Sequence, residues 1–148
     1  MINLDDILDQ WSKDCEIDKH DLFEESRKVP NLHAKYLQLY SYCKLHHRKA
    51  ENNLQILLKH KWLYYNGKMD QSEVRDHNWD PDPFDGLKVL KQDMDYWYNS
   101  DPDIIALNDK VHYYKTCLDT LKDIIDNCKW RHQTIKNMIE WRRFEQGG

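Results

Sequence analysis

Apolar residues recur at alternating steps of three and four along the last third of the chain, from Ile104 to Ile139. This heptad spacing is typical of one long helix that pairs with a partner helix. The preceding run Asp101-Pro102-Asp103 combines a capping side chain, a proline suited to the first helical position and an acid that favours the helix dipole. We therefore predict a long C-terminal helix with a coiled-coil-like oligomerisation seam. The seam comprises Ile104, Leu107, Val111, Tyr114, Leu118, Leu121, Ile125, Ile135 and Ile139, with interruptions at Cys128 and His132.

A second periodic stretch lies between Pro30 and about Tyr65, where no glycine or further proline intervenes. It predicts another long helix, which buries one apolar stripe and ends at Gly67. Pro30 either opens this helix or interrupts a helical run capped by Asp18. The stripe comprises Leu32, Tyr36, Leu39, Cys43, Ala50, Leu54 and Leu57.

The remaining segments predict shorter elements. Asn3 can cap a first helix that ends near Cys15. Residues 69–86 are rich in Asp and Pro and indicate an acidic loop, and a short helix starting around residues 82–85 follows it. The predicted fold is all-α: an elongated helical protomer with two long helices joined by an acidic loop. We expect one domain, with N-terminal helices in residues 1–68, the loop and short helix in 69–100, and the oligomerisation helix in 101–148.

Composition limits the core that this chain can form. A mean hydropathy of −0.96 and 32% charged residues leave few apolar side chains, whereas six Trp and nine Tyr argue against disorder. We therefore predict a thin helical protein that completes its core by self-association. Its four cysteines have no disulfide-framework spacing, which fits a reducing cytosol. No run approaches the roughly 20 apolar residues of a membrane span, so we predict no membrane role.

Charge is strongly segregated, although the net charge is only −4. Residues 31–68 carry seven basic side chains and one acidic side chain, whereas residues 69–103 carry three basic and ten acidic side chains. A solvated helix face would mix the two signs. The basic block therefore favours an anionic partner.

The end of the second long helix interleaves lysines with aromatic residues. Lysines neutralise phosphates and aromatic rings stack on unpaired bases, so this pattern indicates binding of single-stranded DNA. On a helical wheel Lys44, Arg48 and Lys59 form one stripe, whereas Lys61 lies about 200° from Lys59. The alternative is that the aromatic residues are core and the lysines surround the helix end. The predicted DNA-binding residues are Lys59 and Lys61, supported by Lys44, Arg48 and Lys68, with Trp62, Tyr64 and Tyr65 as stacking residues.

Two sets of potential metal ligands have simpler explanations. A zinc set would need antiparallel helices and lacks a short knuckle. A magnesium set lacks the paired glutamates of helical nucleotide hydrolases. Free core cysteines and a solvated acidic face account for both sets, and no motif exposes a nucleophile. We therefore predict neither an enzyme nor a metal site. The sets are Cys43 and His46 or His47 with Cys128 and His132, and Asp119 with Asp123 and Asp126.

Three segments of the chain resemble the UvsY family of recombination mediators from T-even-like bacteriophages. They are the acidic stretch 13–18, the basic and aromatic residues 58–68 and the final run 135–147. The family's basic DNA-binding pair falls on Lys59 and Lys61, and the family's arginine at the second position is a lysine here. Lysine keeps the phosphate-binding charge but lacks the planar guanidinium fork.

The resemblance implies a non-enzymatic mediator without a nucleotide cofactor. Such a mediator binds single-stranded DNA as a ring-like homo-oligomer of the hexamer or heptamer class. It helps a RecA-like phage recombinase displace single-strand-binding protein in the cytoplasm of the infected bacterial host. The alternative function is a helical scaffold or adaptor whose basic block binds an acidic protein partner.

Overall fold

The computed structural model describes residues 3–147, and every regular element within them is helical. The predicted all-α class with two long helices is therefore confirmed. None of the helices in this part of the chain has the length and apolar content needed to cross a membrane. The elements are α1 (Leu4–Asp14), α2 (Leu22–Tyr65), α3 (Gln71–Asp76), a 3-10 turn (Lys91–Asp93), α4 (Met94–Ser100) and α5 (Pro102–Glu145).

Side-chain caps define the starts of α1 and α5. Asn3 Oδ1 accepts a hydrogen bond from the Asp5 N–H at 2.8 Å. Asp101 Oδ1 accepts hydrogen bonds from the N–H groups of Asp103 and Ile104 at 2.9 and 3.1 Å. These bonds satisfy N–H groups that have no partner within the helix. Both starts agree with the sequence prediction.

The start of α2 differs from the prediction. The helix begins at Leu22 and continues through Pro30 without a break. Asp21 Oδ1 accepts from the Glu24 N–H at 3.3 Å, whereas Asp18 only accepts from the His20 N–H in the preceding turn. The predicted cap at Asp18 is thus wrong. Pro30 is exposed, so the carbonyl group that loses its helical partner at this position can be hydrated.

The connection between the long helices contains more structure than predicted. Gly67 adopts φ +68° and the Lys68 N–H donates to the Leu63 carbonyl at 2.8 Å, which ends α2 as expected. The loop then includes α3, which its composition did not suggest. A helix starting around residues 82–85 is not formed, because Asp85 and Gly86 both have positive φ, at 51° and 75°. The helical segment begins instead at Lys91.

The described chain forms two compact units, and both long helices contribute to each. The first unit contains the residues up to His46 and those from Tyr113 onward, and the second contains residues 47–112. In the first unit the Cys43 thiol donates to the Tyr114 carbonyl at 3.5 Å, and Arg131 donates to Glu25 at 3.1 Å. The two long helices are therefore antiparallel in this unit.

Polar contacts attach α1 to the first unit. Asp14 accepts hydrogen bonds from Lys35 at 2.6 Å and from the Tyr36 hydroxyl at 2.8 Å. Trp11 meets the Tyr36 ring edge-on, with centroids 5.4 Å apart. Burial and the Asp14 carboxylate raise the pKa of Tyr36, so its hydroxyl remains a donor. Buried Arg131 also donates to the carbonyl groups of residues 15 and 16, at 3.1 and 2.8 Å.

The predicted oligomerisation seam lies largely in the interior of the protomer. Leu107, Val111 and Ile139 are half-buried, and the other six seam residues are buried by the chain itself. His132, one of the two predicted interruptions, is exposed, whereas the neighbouring Arg131 is buried. The heptad spacing of apolar residues in α5 therefore reflects packing within the protomer. A role of these residues in oligomerisation stays a prediction. The six buried residues are Ile104, Tyr114, Leu118, Leu121, Ile125 and Ile135.

Candidate nucleic-acid interface

The basic and aromatic end of α2 divides into an exposed and a buried set in the second unit. Lys59 and Lys68 are exposed, and Trp62 exposes 46% of its surface. Lys61 exposes only 3%, and both tyrosines of the segment are buried. Sequence reasoning placed Lys61 on another side of the helix from Lys59, and the structure shows that this side faces the interior.

Lys61 is held by two carboxylates and an aromatic ring. Its Nζ lies 2.9 Å from Asp101 Oδ2 and 2.9 Å from Asp103 Oδ2. The same Nζ lies 3.8 Å from the ring centroid of Trp79, which in turn donates its indole N–H to Asp103 at 3.0 Å. A buried ammonium group requires such compensation. The positive charge of Lys61 is therefore neutralised inside the protein.

Asp101 connects the end of α2 to the start of α5. Besides capping α5, it accepts a hydrogen bond from the Tyr65 hydroxyl at 2.6 Å and pairs with Lys61. Burial of this carboxyl opposes its ionisation, but the hydrogen bonds from Tyr65, Lys61 and the Ile104 N–H outweigh burial and lower the pKa of Asp101. Asp101 is therefore a charged, fully bonded junction between the two long helices of this unit.

Tyr64 and Tyr65 belong to an aromatic core. The ring centroids of Tyr64 and Tyr65 lie 4.9 Å apart, and those of Tyr64 and Trp79 lie 5.0 Å apart. The Tyr64 hydroxyl donates to the Asp80 carbonyl. Burial raises the pKa of both tyrosines. These contacts correspond to the alternative, noted from the sequence, that the aromatic residues form core.

The remaining predicted cations are free to meet an anion. Lys44 lies in the first unit, and Arg48 and Lys59 lie in the second. All three are exposed, and none has a carboxylate partner within residues 3–147. Their charges are thus available to phosphate groups, in contrast to the charge of Lys61.

A groove of about 530 Å³ opens beside Trp62 in the second unit. Lys68 Nζ lies 4.7 Å from the ring centroid of Trp62 and covers part of it. The Asn66 amide donates to the Trp62 carbonyl at 2.8 Å and to the Tyr98 hydroxyl at 3.0 Å, which fixes Tyr98 beside the end of α2. We call this feature the Trp62 groove. It is lined by Trp62, Asn66, Lys68, Lys91, Met94, Asp95 and Tyr98.

Sequence reasoning named Trp62 and Lys68 as binding residues but missed the other five residues of the Trp62 groove, among them Lys91 and Tyr98. Lys91 is one of three basic residues in the segment 69–103, whose strong negative charge concealed it. Tyr98 reaches the groove only because α4 is placed beside the end of α2. The signal available in the sequence was a lysine followed, five residues later, by three consecutive aromatic residues at positions 96–98.

The two sets of potential metal ligands considered from the sequence do not form a metal site within the described residues. No group of His, Cys, Asp or Glu in residues 3–147 has an arrangement that could hold a metal ion. Cys43 adjoins Cys117 rather than Cys128, and burial together with this second thiol raises the pKa of Cys43 to about 11. Asp119 pairs with Lys115 at 2.7 Å, as expected for a solvated helix face.

Comparisons with known proteins agree with the all-α fold described above. A family model described as "Recombination, repair and ssDNA binding protein UvsY" matches residues 10–148. The "Recombination protein uvsY" of Enterobacteria phage T4 is 26% identical over 146 residues, with 99% of each chain covered. One crystal form of the bacteriophage T4 recombination mediator protein UvsY gives a TM-score of 0.82 at 25% identity over 99% of both chains. Another gives 0.79 at 26% identity, over 95% of this chain and 98% of that chain.

Proposed function

Because the chain belongs to the UvsY family of recombination, repair and single-stranded-DNA-binding proteins, we propose that it acts as a recombination mediator. It binds single-stranded DNA as a ring-like homo-oligomer of the hexamer or heptamer class. In this form it promotes loading of a RecA-like phage recombinase onto DNA covered by single-strand-binding protein. It acts in the cytoplasm of the infected bacterial host, without catalysis and without a cofactor.

The observation that carries the DNA-binding proposal is the contrast between Lys59 and Lys61. A lysine in solvent releases its share of counterions when it meets a phosphate, whereas a lysine held by two carboxylates has no charge to offer. Lys59 is therefore the principal phosphate contact, and Lys61 positions it by securing the end of α2. Lys44, Arg48 and Lys68 add phosphate contacts, Trp62 stacks on bases, and Tyr64 and Tyr65 support the segment from the core.

The oligomer supplies the affinity that one protomer lacks. A few exposed cations bind a DNA strand weakly at physiological salt, but linked sites raise affinity through effective concentration. Large apolar side chains remain exposed in the first unit, among them Phe23, Trp141 and Phe144. The rings of Trp141 and Phe144 stack with their centroids 5.5 Å apart, and both form an exposed apolar surface near the C-terminus of α5. We assign this surface to contacts between copies of the chain.

Fluorescence anisotropy of labelled single-stranded DNA, titrated at several salt concentrations, tests the proposal, with the mass in solution recorded in the same buffers. We expect tight binding by an oligomer and a steep loss of affinity with salt. Lys59→Ala should weaken binding and lower the slope of log K against log[salt] by about one per DNA-contacting subunit. Lys110→Ala removes an exposed lysine of α5 and serves as the matched control.

Two results would contradict the proposal. A folded oligomer that binds no single-stranded DNA would exclude the mediator function and favour the scaffold that binds an acidic protein. Equal losses for Lys59→Ala and Lys110→Ala would show that DNA binding depends on overall charge and not on the end of α2.

A further inference from the structure

The Trp62 groove combines features that a nucleotide requires of its site. Its volume of about 530 Å³ falls within the range of about 300–1,000 Å³ typical of small-molecule sites. Its walls include the half-exposed ring of Trp62 and the partly buried ring of Tyr98. Two lysines and one carboxylate are the charged groups of its lining. A flat aromatic ligand with an attached anion matches these walls.

We infer that the Trp62 groove holds one unpaired nucleobase, stacked on Trp62, with its flanking phosphates next to Lys68 and Lys91. The inference rests on the proposed function, because it names the part of the DNA that this surface recognises. It goes beyond that function by assigning a base-specific subsite to α4 and to the acidic segment, which carry an overall charge of the wrong sign for DNA.

Lys68 is the movable part of the subsite. In the free protein its ammonium group covers the Trp62 ring at 4.7 Å. This cation–π contact is exposed and therefore weak, so an incoming base can displace it. The displaced lysine has a flexible four-carbon stem and can bind the phosphate of the same nucleotide. When a base stacks on Trp62, the ring loses its contact with Lys68 and gains one with the base. The released Lys68 then adds a phosphate contact.

Asp95 and Tyr98 explain why the ligand is an unpaired base. The Tyr98 hydroxyl accepts the hydrogen bond of Asn66 and keeps its own proton for a base acceptor. Burial raises the pKa of Tyr98, so this hydroxyl stays protonated. The Asp95 carboxylate repels phosphate but accepts hydrogen bonds from the amino and imino groups of a base edge. In a duplex that edge is already paired, so the subsite selects single strands.

The experiment uses the full chain and two oligonucleotides of equal length, one with ordinary bases and one with abasic sites throughout. Because stacking of one base contributes about 5- to 150-fold in affinity, Trp62→Leu should weaken binding to the ordinary strand about tenfold and leave the abasic strand unchanged. Tyr96→Leu, which alters an exposed aromatic residue of α4 outside the groove, should have no effect on either strand. Thermal unfolding establishes that each variant is folded.

A second pair of variants tests the phosphate contact without touching the aromatic walls. Lys91→Ala should weaken binding to both strands and lower the salt slope by about one per occupied groove, whereas Lys88→Ala, an exposed lysine of the same segment, should not. If Trp62→Leu weakens both strands equally, or Lys91→Ala equals Lys88→Ala, the groove holds no base. The proposed function survives that result if the wild-type protein still binds DNA, and fails only if it does not.

Discussion

Lys59 and Lys61 show how two neighbouring lysines acquire different roles. Lys59 meets solvent, whereas Lys61 is enclosed by Asp101, Asp103 and Trp79. The resemblance to a known family assigned both residues to DNA, and the heptad and charge patterns could not separate them. Only the helical wheel did, by placing them on different sides of α2. The roles that we propose for them can be measured separately, because Lys61 should affect stability and Lys59 should affect DNA affinity.

Lys61→Met should destabilise the protein by about 3–5 kcal/mol, because the buried Asp101 carboxylate loses its cationic partner. Lys59→Met, which removes an exposed charge, should change the free energy of unfolding by about 0.5 kcal/mol or less. Urea denaturation at one fixed protein concentration measures both values, since assembly also affects apparent stability.

DNA binding provides the converse measurement. At temperatures where Lys61→Met is folded, its slope of log K against log[salt] should equal that of the wild type, because Lys61 releases no counterion. A variant as stable as the wild type with a reduced slope would show instead that Lys61 contacts phosphate.

At the scale of elements, Arg131 links three segments of the first unit. Its guanidinium donates to the carbonyl groups of Cys15 and Glu16 and to the Glu25 carboxylate. It thus joins the residues after α1 and the first turn of α2 to the middle of α5. The planar fork of arginine can satisfy these acceptors together, which a lysine cannot do.

Arg131→Met should cost about 3–5 kcal/mol of stability, since the buried Glu25 then keeps only its 4.0 Å ion pair with the exposed Lys28. Lys122→Met, at an exposed position of the same helix, is the control and should cost little. The double variant Arg131→Met with Glu25→Gln should recover part of the loss, because no uncompensated charge remains. Urea denaturation of the wild type, the single variants Arg131→Met and Glu25→Gln, and the double variant gives the coupling free energy. Equal stability of Arg131→Met and the wild type would contradict the proposed link.

The elements that sequence predicted well are those with local signals. Caps at Asn3 and Asp101 and the glycine at residue 67 defined helix ends, and the spacing of apolar residues defined α5. The surface that each helix contacts is not local information, so the seam pointed equally to a second copy and to α2. The same limit applies to the Trp62 groove, part of whose lining comes from α4. Pro30 was misjudged because an exposed position tolerates the lost hydrogen bond.

For the whole molecule, charge and apolar surface have to be considered together. The strong negative charge of residues 69–103 is not all available to solvent, since Asp101 and Asp103 are engaged by Lys61. The basic block is likewise smaller than its composition suggests. A single protomer therefore offers DNA only a few free cations, which is why we propose that several protomers bind one strand together.

The proposed self-association through the exposed end of α5 can be separated from DNA contact by one double variant. Trp141→Ser with Phe144→Ser removes two rings that are 63% and 72% exposed, so the protomer should stay folded. The mass in solution, measured by light scattering, should fall towards that of one protomer, and single-stranded DNA affinity should fall about 100-fold or more as multivalency is lost. Leu87→Ser, at an exposed apolar position of the second unit, should change neither quantity.

If the double variant keeps the wild-type mass, the oligomer is built from other residues. If its mass falls while its affinity is unchanged, one protomer binds the strand alone, and wrapping of DNA across several subunits is not the source of affinity.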